Sequence, residues 1–109
     1  MIYQENKESI ASIIREEFNA KGLNVKQIVL FGSQSRGNAS PDSDWDFLVS
    51  INDDLEFGEK AKLVTAIQRR LAVKHISVDI IIKSEKKIMQ ERNNVGVITY
   101  YALKDGILV

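Results

Sequence analysis

Apolar residues recur along this chain with two periods, and the switches between them mark its elements. Between Glu5 and Ala20, Ile10, Ile13, Ile14 and Phe18 fall three or four residues apart, with charge on the other side. That spacing predicts an amphipathic helix. Lys21-Gly22 ends it, because glycine adopts the positive φ of a helix terminus without steric cost. Val25 to Phe31 is β-rich and stops at Gly32, which predicts a strand. Ser33 to Ser43 is a polar connection holding Gly37, Asn38 and the sole proline, Pro41, with a short helical turn expected after Gly32. From Trp45 to Ile51 the residues alternate. Trp45, Phe47, Val49 and Ile51 take one face of this second strand, and Asp44, Asp46, Leu48 and Ser50 the other. Asn52-Asp53-Asp54 breaks it.

Gly58 to Lys74 predicts a second long helix, with Ala61, Val64, Ile67 and Leu71 as its apolar stripe. Ile76 to Ile82 predicts a third strand with one polar residue, Asp79. Ser84 is suited to start a helix, and Asn93 or Asn94 to cap a last one running to about Lys104, with Gly106 as its stop. The order helix, strand, strand, helix, strand, helix describes an α/β (α+β) fold. It is a small mixed sheet of three to four strands with helices packed on it. At 109 residues the chain is expected to form a single domain, 1–109.

Composition narrows the function. The chain is 44% hydrophobic and 28% charged, an ordinary globular balance. Its 15 basic and 15 acidic residues cancel, which argues against stable direct binding to nucleic acid. It has no cysteine, hence no disulfide, thiolate metal site or cysteine nucleophile. One histidine, His75, cannot build a multi-histidine centre, and at a helix end it reads as a partner of the helix dipole. Apolar runs reach four residues, far short of a membrane span, and MIYQENKESI lacks the pattern of a signal peptide. A cytoplasmic location is the default expectation.

The chemistry concentrates between Val29 and Ser50, VLFGSQSRGNASPDSDWDFLVS. A glycine ending a buried strand lets the backbone turn sharply and a ligand approach closely. Successive N–H groups in such a turn cradle anions, and the Ser33 hydroxyl adds a donor. After ten intervening residues Ser33 is followed by Asp44 and, one residue further on, Asp46. Two apart on a strand, their side chains point the same way from Cα atoms roughly 6.5 Å apart. Their repulsion is about 2–3 kcal/mol at an effective dielectric near 20, unless a cation lies between them. Such hard oxygen donors suit Mg²⁺ or Mn²⁺. Asp79, within ISVDIII, is costly to bury unpaired, so it is expected to meet a cation, an Arg or donors. A buried salt bridge and a third metal ligand are the two readings of it. Asp44 and Asp46 favour the second.

Two rival motifs fail. Gly32 to Gly37 has the glycine spacing of a P-loop, but Asn38-Ala39 stands where Lys and Ser or Thr are required. Asp42, Asp44 and Asp46 copy the start of a calcium loop, but Phe47 and Asp53 stand where it needs Gly and Glu.

Gly32-Ser33, then Asp44-x-Asp46, then Asp79 on a later strand resembles the polymerase β-like nucleotidyltransferase superfamily. LFGSQSRGNASPDSDWDFLV is similar to its signature, from the Phe before Gly32 through Arg36-Gly37 to Ser43-Asp44. The small size resembles the minimal nucleotidyltransferase (MNT) proteins. The resemblance spans nearly the whole chain and implies a metal-dependent nucleotidyltransferase. Asp44, Asp46 and Asp79 would be its catalytic and metal-binding residues, holding two Mg²⁺ ions, with Mn²⁺ as a substitute. ATP would be the substrate, with Gly32 and Ser33 on its β- and γ-phosphates and Arg36 and Ser43 as further nucleotide contacts. Arg36 reads equally as a surface residue or a partner to an Asp. Attack falls on the α-phosphorus and pyrophosphate leaves.

MNT proteins commonly pair with HEPN-domain toxins. The resemblance thus implies an antitoxin that adenylylates a hydroxyl, a tyrosine, of its partner. The alternatives are a non-catalytic antitoxin that masks its partner, and transfer to a small-molecule acceptor. Base preference, acceptor residue, the number of nucleotides added and oligomeric state leave no mark in the sequence.

Overall fold

The computed structural model describes residues 3–36 and 43–109, and side chains from residue 6 onward except that of Arg36. The elements run α1 (Tyr3–Ala20), β1 (Val25–Phe31), α2 (Ser33–Arg36), β2 (Trp45–Ile51), α3 (Phe57–Ala72), β3 (Val78–Ser84), α4 (Glu85–Glu91), α5 (Ile98–Asp105) and β4 (Ile107–Leu108). The strands form one mixed sheet in the order β3-β2-β1-β4. β1 pairs antiparallel with β2 and β4, and β2 parallel with β3. The α3 crossover makes that parallel pair possible, since parallel neighbours cannot be joined by a tight turn.

The alternation in β2 has the predicted consequence. Trp45, Phe47, Val49 and Ile51 join Ile10, Ile14 and Phe18 of α1 and Leu63, Ile67 and Leu71 of α3 in the main core. The opposite face carries a smaller cluster, Val29, Leu48, Ile88 and Ala102, covered by α4 and α5. That cover is partial. Along this face of β2, Ser50 and Leu48 are buried, Asp46 is half-buried and Asp44 is exposed. Among the described residues, the sheet is thus sandwiched at one end and open at the other.

β1 and β2 have the predicted bounds. Four readings change. The buried row of α3 is Leu63, Ile67 and Leu71, flanked by Val64, while Ala61 is exposed. The four-residue spacing of 63, 67 and 71 defines the ridge that meets the sheet, and Ala61 lies off it. β3 begins two residues late, because Ile76 belongs to the helix ending: its N–H bonds Leu71 O, and His75 N–H bonds Ala72 O. His75 there has φ 62°, the place glycine usually takes. Gly22, with φ 73°, ends α1 in the same manner, Leu23 N–H reaching Phe18 O. Asn94 does not cap a helix. Its side chain accepts from Gly96 N–H within the link, and α5 starts after Val97. Finally, Ile107–Leu108 adds the edge strand β4.

Ser84 ends β3 and caps α4, its Oγ accepting from Lys87 N–H. One polar cluster ties β3, α4 and α5 together. Glu91 Oε1 accepts from Lys83 Nζ and from the Thr99 hydroxyl, with Lys87 Nζ 3.6 Å from Oε2. Lys83 foremost, aided by Thr99, holds the Glu91 carboxyl below its ordinary range against the opposing effect of burial. Because the folded value is the lower one, this stabilisation is complete above the unfolded pKa near ~4.3 and disappears as pH falls through the folded value. Glu91→Ala should cost roughly 1–3 kcal/mol in urea unfolding at pH 7. The gap between Glu91→Gln and the parent should close as the pH is lowered below that window.

Candidate active site

β1 ends where the chain must turn away from the sheet, and Gly32 makes the turn at φ 78°. A Cβ at this position would overlap Asp46 Oδ2, so the backbone here lies directly against the carboxylate. Two constraints, the left-handed backbone and the close approach, therefore select glycine. The turn runs into α2. Ser35 closes it, its N–H and its hydroxyl both bonding Gly32 O, at 3.1 and 2.8 Å. Ser33 is half-buried at the start of α2.

β2 leaves the sheet end carrying Asp46 as its second residue, with Asp44 just before the strand. The parallel register sets Asp46 beside Asp79. Neighbouring strands lie about 4.8 Å apart, so the two carboxylates leave the sheet side by side on its open face. Asp79 is exposed and second in β3, which corrects the expectation of a buried aspartate in mid-strand. The two-residue shift of β3 moved it to the strand's end. Among the described residues it makes no ion pair, so the salt-bridge reading falls for them.

The structure therefore gathers Gly32, Ser33, Asp44, Asp46 and Asp79 at one end of the sheet. Among the described residues, no three acidic, histidine or cysteine side chains close into a set able to hold a metal ion as they stand. The Arg36 side chain and residues 37–42 lie outside the described residues. Ser43 is half-buried, and its carbonyl accepts from Gln34 Nε2 at 3.1 Å. That bond spans the two ends of the connection and braces α2 against the lead-in to Asp44. Gln34 is 7% exposed and was not singled out from the sequence, since a glutamine in a polar loop carries no signal of such a role.

Trp45 is core, 6% exposed, and points away from the carboxylates as alternation requires. His75 is exposed at the far end of α3 from the crossover's start.

A nucleotidyltransferase domain model matches residues 11–104, nearly the whole chain and every strand of the site. The chain belongs to the nucleotidyltransferase domain family. Among solved structures, it is similar to a mutant of the MntA-HpeT toxin–antitoxin complex, at TM-score 0.64 and 20% identity, covering 93% of this chain and 69% of that one. It is also similar to a toxin–antitoxin structure with AMP-PNP, at TM-score 0.62 and 22% identity over 89% of this chain and 69% of the other. A third is a tri-AMPylated Shewanella oneidensis HEPN toxin in complex with MNT antitoxin. There the TM-score is 0.63 and the identity 20%, over 98% of this chain and 71% of the other. No curated protein matches. At these identities the likeness establishes the fold alone, a nucleotidyltransferase sheet shared with the antitoxin structures.

Gly32→Ala tests the turn. It should lower stability by about 1–3 kcal/mol in denaturant unfolding, because alanine meets both the positive φ and the Asp46 carboxylate. A stability within about 0.5 kcal/mol of the parent would mean that the turn is not held as described.

Proposed function

We propose that this nucleotidyltransferase transfers AMP from ATP to a tyrosine hydroxyl of a HEPN-domain toxin, and so acts as its antitoxin. The observation that carries the reading is the register of Asp46 beside Asp79 at the sheet end where Gly32 turns. An aligned acidic pair is destabilising in itself. It gains a use where a divalent cation and a polyphosphate meet. The donor chemistry, carboxylates only, fits Mg²⁺ or Mn²⁺. Asp44, Asp46 and Asp79 would hold it, and it would supply positive charge against the triphosphate and the developing oxyanion. The Gly32 turn, its backbone against the Asp46 carboxylate, would offer backbone N–H groups to the β- and γ-phosphates, with Ser33 as a hydroxyl donor. Arg36 and Ser43 are further nucleotide contacts in this reading.

The transfer itself is a displacement. The acceptor oxygen bonds to the α-phosphorus, the bond to the bridging oxygen of the β-phosphate breaks, and pyrophosphate leaves. Asp79, on the outermost strand of the site, would accept the hydroxyl proton. Support for the nucleotide and the acceptor comes from the folds that this chain resembles, one with AMP-PNP and one with an AMPylated HEPN toxin.

Incubation with Mg²⁺, α-labelled ATP and a HEPN-domain partner protein should place label on that protein. Asp46→Asn should cut the rate by at least about a hundredfold while the fold is retained. Toxin neutralisation that persists in Asp46→Asn without ATP would instead establish masking, and label on a small molecule alone would establish the other acceptor class. Nucleotide binding has its own readout. Mg²⁺ with ATP at about 100 times Kd should stabilise the chain by about 2.7 kcal/mol, seen as a rise in Tm, and Asp46→Asn should abolish the rise.

A further inference from the structure

We propose that the open edge of β3 is the docking edge for the acceptor, and that an extended segment of the modified protein adds to it as a further strand beside Asp79. This rests on the transfer reading above and specifies how the acceptor reaches the site.

Strand order supplies the direction of approach. Gly32 closes β1, Asp46 stands on β2 and Asp79 on β3, so the turn, the middle carboxylate and the outer carboxylate succeed one another across the sheet. In-line displacement requires the entering and leaving oxygens on opposite sides of the phosphorus. With the leaving phosphates at the Gly32 turn, the entering hydroxyl must come from the β3 side. Among the described residues no strand lies beyond β3.

The backbone of β3 is set up for pairing. Trp45 N–H bonds Ser77 O at 2.9 Å, and the unbroken parallel register then turns the N–H and C=O of Asp79, Ile81 and Lys83 toward β2. Those of Val78, Ile80 and Ile82 face outward. Gln68 Nε2 takes Val78 O at 3.0 Å, which marks where an added strand would end. The groups of Ile80 and Ile82 meet no further strand. Natural proteins blunt such edges with proline, bulges or a cover. Here the unpaired edge runs through three isoleucines between Asp79 and Lys83, Ile80 and Ile81 half-buried and Ile82 buried by side chain, without proline and without a register break.

The spacing also fits. A strand added to β3 lies about 4.8 Å out, so a residue level with Asp79 on the open face carries its hydroxyl to that carboxylate. Its neighbours point to the α3 side. There a recess of about 350 Å³, lined by Gln68, Ala72, His75 and Val78 among others, can receive one of their side chains.

Amide exchange resolved by NMR tests the proposal. The full chain is loaded with Mg²⁺ and a non-hydrolysable ATP analogue, then measured with and without the HEPN-domain protein. In the chain alone, Asp79 and Ile81 amides should be protected and Ile80 and Ile82 amides should exchange freely. Adding the partner should slow Ile80 and Ile82 by about tenfold or more. Ile80→Pro deletes one outward N–H and leaves the inward ladder intact. Ala72→Trp fills the recess. Both should keep the nucleotide-induced rise in Tm and raise KM for the acceptor protein. A labelled partner whose binding leaves Ile80 and Ile82 exchange unchanged would overturn the docking edge and leave the transfer reading standing. So would unchanged KM in both folded variants. Slowed amides with no label on the partner would discard the transfer reading and keep the edge. Protection already present in the chain alone, with a concentration-dependent dimer, would assign the edge to a second copy and overturn the proposal.

Discussion

The parallel pairing of β2 with β3 is the constraint on which the rest depends. The alternation that buries Trp45, Phe47, Val49 and Ile51 beside Val78 and Ile82, beneath α1 and α3, also decides what emerges on the other face. Because side chains alternate with period two, a slip of one residue would carry Asp79 to the helix side and an isoleucine to the site. Core packing therefore sets the register, and the register sets Asp46 beside Asp79. Their mutual repulsion, unfavourable in itself, is opposed by the burial of the large side chains on the opposite face.

The second face shows how a small sheet is kept partly open. α4 and α5 cover only the end nearer Leu48 and Ile81, held by Ile88, Ala102 and the Lys83–Glu91–Thr99 cluster. Gly106 permits the close return of the chain. A Cβ there would overlap Ala102 O and Val29. β4 then pairs with β1 at the opposite edge from β3. The helices are thus anchored away from Asp46 and Asp79, and the half-buried to exposed gradient along β2 and β3 follows from where their cover stops.

Local signals were legible in the sequence where a residue has one backbone meaning. Gly32 closes β1, Asn52-Asp53-Asp54 closes β2, and both strands have the predicted bounds. Ile76 misled because an apolar residue after a helix serves equally as the hydrophobic partner of a helix ending or as the start of a strand. Asn94 misled because the same side chain that caps helices also closes short turns. β4 has two residues, too few for any periodicity. In the site, the Asp44–Asp46 spacing and the Gly32 turn could be read directly. The pairing of Asp46 with Asp79 spans more than thirty residues and is fixed by tertiary packing, and the Gln34 brace has no motif at all.

The division of the site between rigid and less rigid supports bears on how it works. Asp46 and Asp79 stand on paired strands, and Asp46 is further confined by the Gly32 backbone against its carboxylate. Asp44 precedes β2, outside the ladder, and is exposed. Gln34, by holding the Ser43 carbonyl, limits how far that lead-in can drift. Two carboxylates are thus held by the sheet, and the third approaches from a braced loop. Under the transfer reading, closing the ligand set is a matter of side-chain rotation and a small loop adjustment, which costs far less ordering entropy than assembling three ligands from mobile segments. Under the transfer and docking proposals, the nucleotide's phosphates would meet the β1 turn and its braced loop, and the acceptor would meet the β3 edge, on opposite sides of the Asp46–Asp79 pair.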